Sequence, residues 1–186
     1  MRPYTAAVFQ NLELRMRSLI CGLATFAVAP MLMLVSPTAD PSASLASADQ
    51  VIVRKATRSL ELLREGQVIA SYKVALGLDP SGPKQREGDF RTPEGRYSLV
   101  RRNPASEFFL SIQISYPSVD DMRQAHRRGW QPGGSIMIHG VPNKPRHPAE
   151  YYETRDWTDG CIAVSNSDMV EIWLLTARDT PIHILP

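Results

Sequence analysis

The chain has 186 residues, of which 43% are hydrophobic, and a formal net charge of +2. That length suits one compact domain with a tail, and so small a charge gives no electrostatic basis for a nucleic-acid partner or an anionic membrane surface. There is no Gly-rich phosphate loop, no HExxH and no paired CxxC, so nucleotide and zinc chemistry lack support.

The N-terminus comes first in chain order. Arg15 and Arg17 precede an uncharged stretch from Ser18 to Ser36, and a Ser/Ala/Pro run comes next, ending in Ala46-Ser47-Ala48. A positive start, an apolar middle and small residues before a cut are the marks of a secretory signal peptide. The apolar middle is long, so an uncleaved membrane anchor is the alternative. Residues 1–48 are therefore expected to be a signal peptide or anchor with a linker, and 49–186 the working domain, periplasmic or otherwise exported to the cell envelope. Without residues 1–48 that domain has 18 basic and 17 acidic residues, a net charge of +1.

Short strands dominate the remainder of the chain. Gln50–Arg54, Ser59–Arg64 and Gln67–Leu76 are rich in aliphatic and β-branched residues, with Glu65-Gly66 as a hairpin turn. Gly77–Gly88 holds three Gly and two Pro and reads as loop. Gly95–Val100, Phe108–Ser115 and Ser135–His139 are strand-like, and Pro181–Leu185 closes the chain as another strand. Ser118 is placed to cap a helix over Val119–Arg128, stopped by Gly129. Asn166 or Ser167 is placed to cap a second, whose apolar face is Met169, Ile172, Trp173 and Leu175 or Thr176. The pattern predicts a mainly β domain, sandwich- or barrel-like, with two short helices.

Two cysteines are present, and Cys161 is the only one beyond residue 48. Exported domains that rely on disulfides carry even numbers of cysteines. A lone thiol in the polar turn Thr158-Asp159-Gly160-Cys161 is instead a candidate nucleophile, with adjacent amides able to face a developing negative charge. A thiol with an ordinary pKa of about 8.5 needs a base or an imidazolium neighbour. Of four histidines, His139 ends the apolar run Ile136-Met137-Ile138 and precedes Gly140, which holds its side chain rigidly beside a loop. Between His139 and Cys161 lies a Pro-rich stretch carrying Tyr151, Tyr152 and Trp157, which reads either as a substrate wall or as a packed surface loop. Gly88-Asp89-Phe90-Arg91-Thr92-Pro93-Glu94-Gly95 taken alone is only a turn leading into a strand.

In this order, the GDFRTPEG turn, the IMIHG strand end and the TDGC segment make the chain resemble the L,D-transpeptidase catalytic domain, the YkuD-like family of peptidoglycan-modifying cysteine enzymes. The resemblance runs over nearly all of residues 50–186. It implies Cys161 as nucleophile, His139 as its base, and the Gly140 carbonyl orienting the imidazole. It further implies the amides of Asp159, Gly160 and Cys161 as oxyanion donors, with Tyr151, Tyr152, Trp157 and Thr158 expected to contact substrate. The implied reaction is acylation by a peptidoglycan stem tetrapeptide and transfer to an amine, with no metal or organic cofactor and with carbapenems as covalent inhibitors. Water or a lipoprotein lysine as acceptor would give a carboxypeptidase, a hydrolase or a protein-anchoring enzyme. A non-catalytic cell-wall-binding domain with a spectator thiol is the alternative outside the enzyme class. Two departures from the family pattern, Ala163 two residues after the cysteine and Asp159 before the glycine, bear on substrate and acceptor contacts.

Overall fold

The computed structural model describes residues 47–186. The expected export segment, apart from Ser47 and Ala48, and Cys21 therefore lie outside the described residues; Ala48 is buried in the core, and its N–H donates to Leu175 O at 2.7 Å. Among the described residues no helix is long and apolar enough to cross a membrane.

Eight strands form one sheet in the order β3-β2-β1-β8-β4-β5-β6-β7. They are β1 (Gln50–Arg54), β2 (Ser59–Arg64), β3 (Gln67–Lys73), β4 (Gly95–Ser106), β5 (Phe109–Ile114), β6 (Met137–His139), β7 (Ile162–Ala163) and β8 (Pro181–Leu185). β1–β3 form an antiparallel meander, and its hairpin turn at Glu65-Gly66 has positive φ at both residues, as that turn requires. β8 returns from the far end of the chain to lie parallel to β1 and antiparallel to the start of β4.

β4 joins the two halves of the sheet. Gly95–Ser98 pair with β8, while Leu99–Ser106 pair with β5 through two register shifts. Pro104, which has no N–H to give to a ladder, sits in the second shift, where the chain tolerates it. The sequence pattern ends this strand at Val100; bulges let it run six residues further. Beyond β3, bridges from Ala75 to Ala163 and from Gly77 to Thr158 bring the two ends of the sheet together. The expectation of a sandwich- or barrel-like β domain is thus met. Alternating inward side chains of β1, β2 and β8 (Val51, Val53, Leu60, Leu62, Ile182, Ile184) fill the core with those of β5 and β6.

There are three short helices among the described residues, one more than the sequence predicts: α1 (Val119–Arg127), α2 (Ala149–Thr154) and α3 (Asn166–Leu175). α1 begins as expected, at a capping box between Ser118 and Asp121. α2 has six residues, no side-chain cap and no buried residue, so it leaves no apolar periodicity to read. α3 is capped by Ser165, whose hydroxyl accepts from Asp168 N, and not by Asn166 or Ser167. Met169 and Ile172 carry its buried face.

Candidate active site

β6 is three residues long and flanked on both sides, by antiparallel β5 and parallel β7. His139 pairs with Ser111 on one side and Ala163 on the other, which fixes its Cα from two directions. Its ring is 4% exposed and sits between Phe108, with ring centroids 4.6 Å apart, and Trp157, at 5.6 Å edge-on. His139 Nδ1 lies 2.7 Å from the Gly140 carbonyl oxygen. A carbonyl can only accept, so Nδ1 carries the proton and the Nε2 lone pair is left available. Burial lowers the His139 pKa from 6.5 to about 4, with the Gly140 carbonyl opposing that shift. At neutral pH the ring is therefore an uncharged base.

Cys161 immediately precedes β7, so it lies beside the start of β6. Its Sγ lies 3.6 Å from the Ser135 carbonyl oxygen, to which the thiol donates. Ser135 has φ +56°, in the left-handed region. Burial, reinforced by the charge of Asp159, raises the thiol pKa; the Met137 N–H and the more distant Lys84 pull the other way. The resting pair is thus thiol and neutral imidazole rather than thiolate and imidazolium. Cys161, His139, Asp159, Trp157, Phe108 and Ser135 line a common cleft of about 510 Å³.

The turn before the cysteine is braced from within. Thr158 is buried; its hydroxyl donates to the Cys161 carbonyl at 2.8 Å and accepts the Gly160 N–H at 3.1 Å. Two expectations change here. Thr158 lines the cleft, but its hydroxyl is committed to holding the turn before Cys161 together and is not free for a substrate. The Gly160 amide is likewise occupied inside the turn, whereas those of Asp159 and Cys161 have no partner among the described residues. Gly160 matters for another reason. It holds φ +126°, and a Cβ there would stand 2.5 Å from the Arg91 carbonyl oxygen.

That contact explains the GDFRTPEG segment, whose backbone forms the floor of the Thr158–Cys161 turn. A Cβ on Gly77 would meet the Phe90 carbonyl oxygen at 2.0 Å, and Gly77 N–H donates to the fully buried Thr92 hydroxyl. Asp89 organises the loop, accepting from Lys84 Nζ and from the amides of Gln85, Arg86 and Arg91. Burial works against its charge, but these hydrogen bonds outweigh it and hold the carboxyl below its ordinary pKa.

The three aromatics of the long loop divide. Trp157 lines the cysteine cleft and also a second, larger cleft of about 850 Å³, while Tyr151 and Tyr152 line only the second of these two. Trp157, Phe108 and Glu107 form the ridge between the two clefts. Lys144 and Arg146 outnumber Glu107 and give the outer cleft a net basic lining. Trp157 Nε1 is buried with no hydrogen-bond partner among the described residues. Sequence reasoning misses Phe108 and Ser135, because a ring packed on histidine and a backbone carbonyl facing a thiol leave no motif.

The family model of the YkuD L,D-transpeptidase catalytic domain matches residues 48–184. The chain belongs to this family. The L,D-transpeptidase domain is 39% identical over 92 residues to the Escherichia coli K12 protein named "Putative L,D-transpeptidase YafK", a match spanning 46% of this chain and 35% of that protein. Among solved structures it is similar to the helical cell shape determining protein Pgp2 of Campylobacter jejuni, at 26% identity and a TM-score of 0.55, covering 76% of this chain and 50% of that one. It also shares its fold with Bd1075 of Bdellovibrio bacteriovorus, at 22% identity and a TM-score of 0.50, over 76% of this chain and 51% of that one. The chain thus spans about a third to a half of these relatives.

Proposed function

We propose that this domain is an exported peptidoglycan L,D-transpeptidase using Cys161 as nucleophile and His139 as general base. The observation that carries the reading is the Nδ1 hydrogen bond of His139 to Gly140, in a cleft shared with Cys161, which leaves Nε2 as the proton acceptor. Because both groups are neutral at rest, the thiol proton moves to Nε2 as Sγ attacks the carbonyl after the diamino acid of a stem tetrapeptide. The Met137 N–H favours charge on sulfur, opposing the effect of burial. The Asp159 and Cys161 amides take the oxyanion of the tetrahedral intermediate. Collapse breaks the peptide C–N bond, and the terminal D-residue leaves as an amine with the proton from His139, giving a thioester on Cys161. An acceptor amine then attacks the thioester, gives its proton to His139, and expels the thiol.

Two features support an amine from a second stem over water as acceptor. The outer cleft meets the cysteine cleft along the Trp157 ridge, giving a bulky second substrate room close to the thioester. Its basic residues complement the carboxylates of stem peptides. A lipoprotein lysine would need the same approach. The test is mass spectrometry of products after incubating the domain with purified tetrapeptide stems. Cross-linked dimers with release of the terminal D-residue are expected; tripeptide alone would make the domain a carboxypeptidase, and no turnover with a solvent-accessible thiol would favour a binding module.

A further inference from the structure

One amide links the histidine to a side chain that takes no part in the acyl-transfer steps. The C=O of the Gly140–Val141 peptide accepts His139 Nδ1–H at 2.7 Å, and the N–H of the same planar unit donates to Asn166 Oδ1 at 2.9 Å. An N–H can only donate, so the oxygen of Asn166 must face it. Ser165 already caps α3, which leaves the Asn166 side chain free to reach back to this loop. A Cβ on Gly140 would stand 2.4 Å from Asn166 Oδ1, so a side chain there would have to displace that oxygen from its hydrogen bond to Val141 N–H.

Hydrogen bonds in a chain polarise one another. When Val141 N–H donates to Asn166, electron density in the amide shifts toward the Gly140 oxygen, which becomes a better acceptor for Nδ1–H. A stronger bond there favours the Nδ1–H tautomer and the protonated ring. We propose that Asn166 is a positioning residue for His139, acting through the Gly140–Val141 peptide to fix the imidazole tautomer and raise its basicity. The side-chain acceptor that orients histidine in a Cys-His-Asn arrangement is here separated from the ring by one peptide bond. The inference rests on His139 being the base, and on nothing about the substrate.

The surroundings leave this route clear. The titratable groups sharing the histidine's cleft are Cys161, Asp159 and Glu107, and Phe108 and Trp157 pack on its ring. Around Asn166, a separate cleft of about 460 Å³ carries Lys73, His147, Glu153 and Asp168. Burial and the Gly140 carbonyl are the influences on the His139 pKa.

The test is an imidazole 15N NMR titration of His139 in the folded domain, assigned with His139→Asn, together with the rate of Cys161 alkylation by iodoacetamide at pH 7. Neither needs peptidoglycan, so failure here is separable from failure of the transpeptidase assignment. Asn166→Ala removes the acceptor and should lower the His139 pKa and slow alkylation roughly 3- to 10-fold, the scale of one hydrogen bond. Asn166→Asp retains the oxygen and adds charge, so it should raise the His139 pKa and restore alkylation to within about 2-fold of the parent. An aspartate also suits the first turn of α3, where the helix N-terminus favours it, so this variant decides the matter if the alanine variant does not fold. Shifts of the same sign in both variants, or no upward shift in Asn166→Asp, would overturn the proposal.

Discussion

Acidification should destabilise this domain through His139 in a defined window. The ring has an ordinary pKa of 6.5, and its burial lowers that to about 4 in the folded protein. Between those values the unfolded chain binds a proton that the folded one refuses, so unfolding stability rises with pH across the interval and falls as pH drops through it. Above 6.5 the histidine contributes no penalty, and below about 4 the penalty is complete. At about 1.4 kcal/mol for each tenfold difference in proton affinity, it comes to on the order of 3 kcal/mol. The perturbation that isolates it is His139→Asn, whose amide nitrogen can still donate to the Gly140 carbonyl but cannot titrate. Urea unfolding followed by tryptophan fluorescence at pH 7.5, 6, 5 and 4 measures both proteins, and the quantity of interest is how their difference changes. The parent should lose on the order of 3 kcal/mol more than the variant between pH 7.5 and 4, nearly all of it below 6.5. Parallel curves would refute the reasoning, because they would mean that the folded site accepts a proton as readily as the unfolded chain.

The same geometry fixes further outcomes. Cys161→Ala should abolish acylation with little change in melting temperature, since the half-buried thiol belongs to a turn held by Thr158; intact-mass and thermal-melt measurements check both. A carbapenem should form a one-to-one thioester adduct on the peptide containing Cys161, slowed about 10²–10⁴-fold in His139→Asn; an adduct on lysine, or equal rates in both proteins, would contradict the assignment. Gly160→Ala and Gly77→Ala should lower the melting temperature and the alkylation rate together, because each Cβ collides with a backbone carbonyl of the Phe90–Arg91 floor. Gly66→Ala, which meets nothing within 4 Å, should leave the alkylation rate unchanged despite its own positive φ.

What the sequence makes legible is what side chains announce. β1, β2 and β8 have their expected bounds because their aliphatic alternation is continuous, and Ser118 signals α1 because its capping box is local. Cys161 and His139 stand out as candidates because few residue types can attack a carbonyl or accept a proton near neutrality, and the structure brings both into one cleft. The misses share a cause. α2 has no buried face and the extension of β4 depends on bulges, so neither has the periodicity from which elements are inferred. Thr158 is expected to contact substrate because it sits beside Cys161; it lines the cleft, but its hydroxyl turns inward to Cys161 O and Gly160 N. Asn166 reads as a helix cap; Ser165 has that role, and the asparagine reaches across to Val141.

The GDFRTPEG segment shows the same limit at the level of the site. As sequence it is a turn, and none of its side chains is a nucleophile or a base. Its contribution is made by main-chain atoms: the carbonyls of Phe90 and Arg91 occupy the space that side chains at 77 and 160 would need. Asp89 fixes that backbone with hydrogen bonds from three amides and a lysine, and the buried Lys55 ties down the Thr92 carbonyl and the Glu94 carboxylate. Both ends of the contact are thus specified. Glycines at 77 and 160 admit the loop, and an aspartate and two lysines hold it in place. A nucleophile in a turn lacks the packing that positions a residue inside a strand. Here the turn is held by its own threonine from within and by a rigid loop backbone from below, while the face toward the cleft stays open for a carbonyl to approach Sγ.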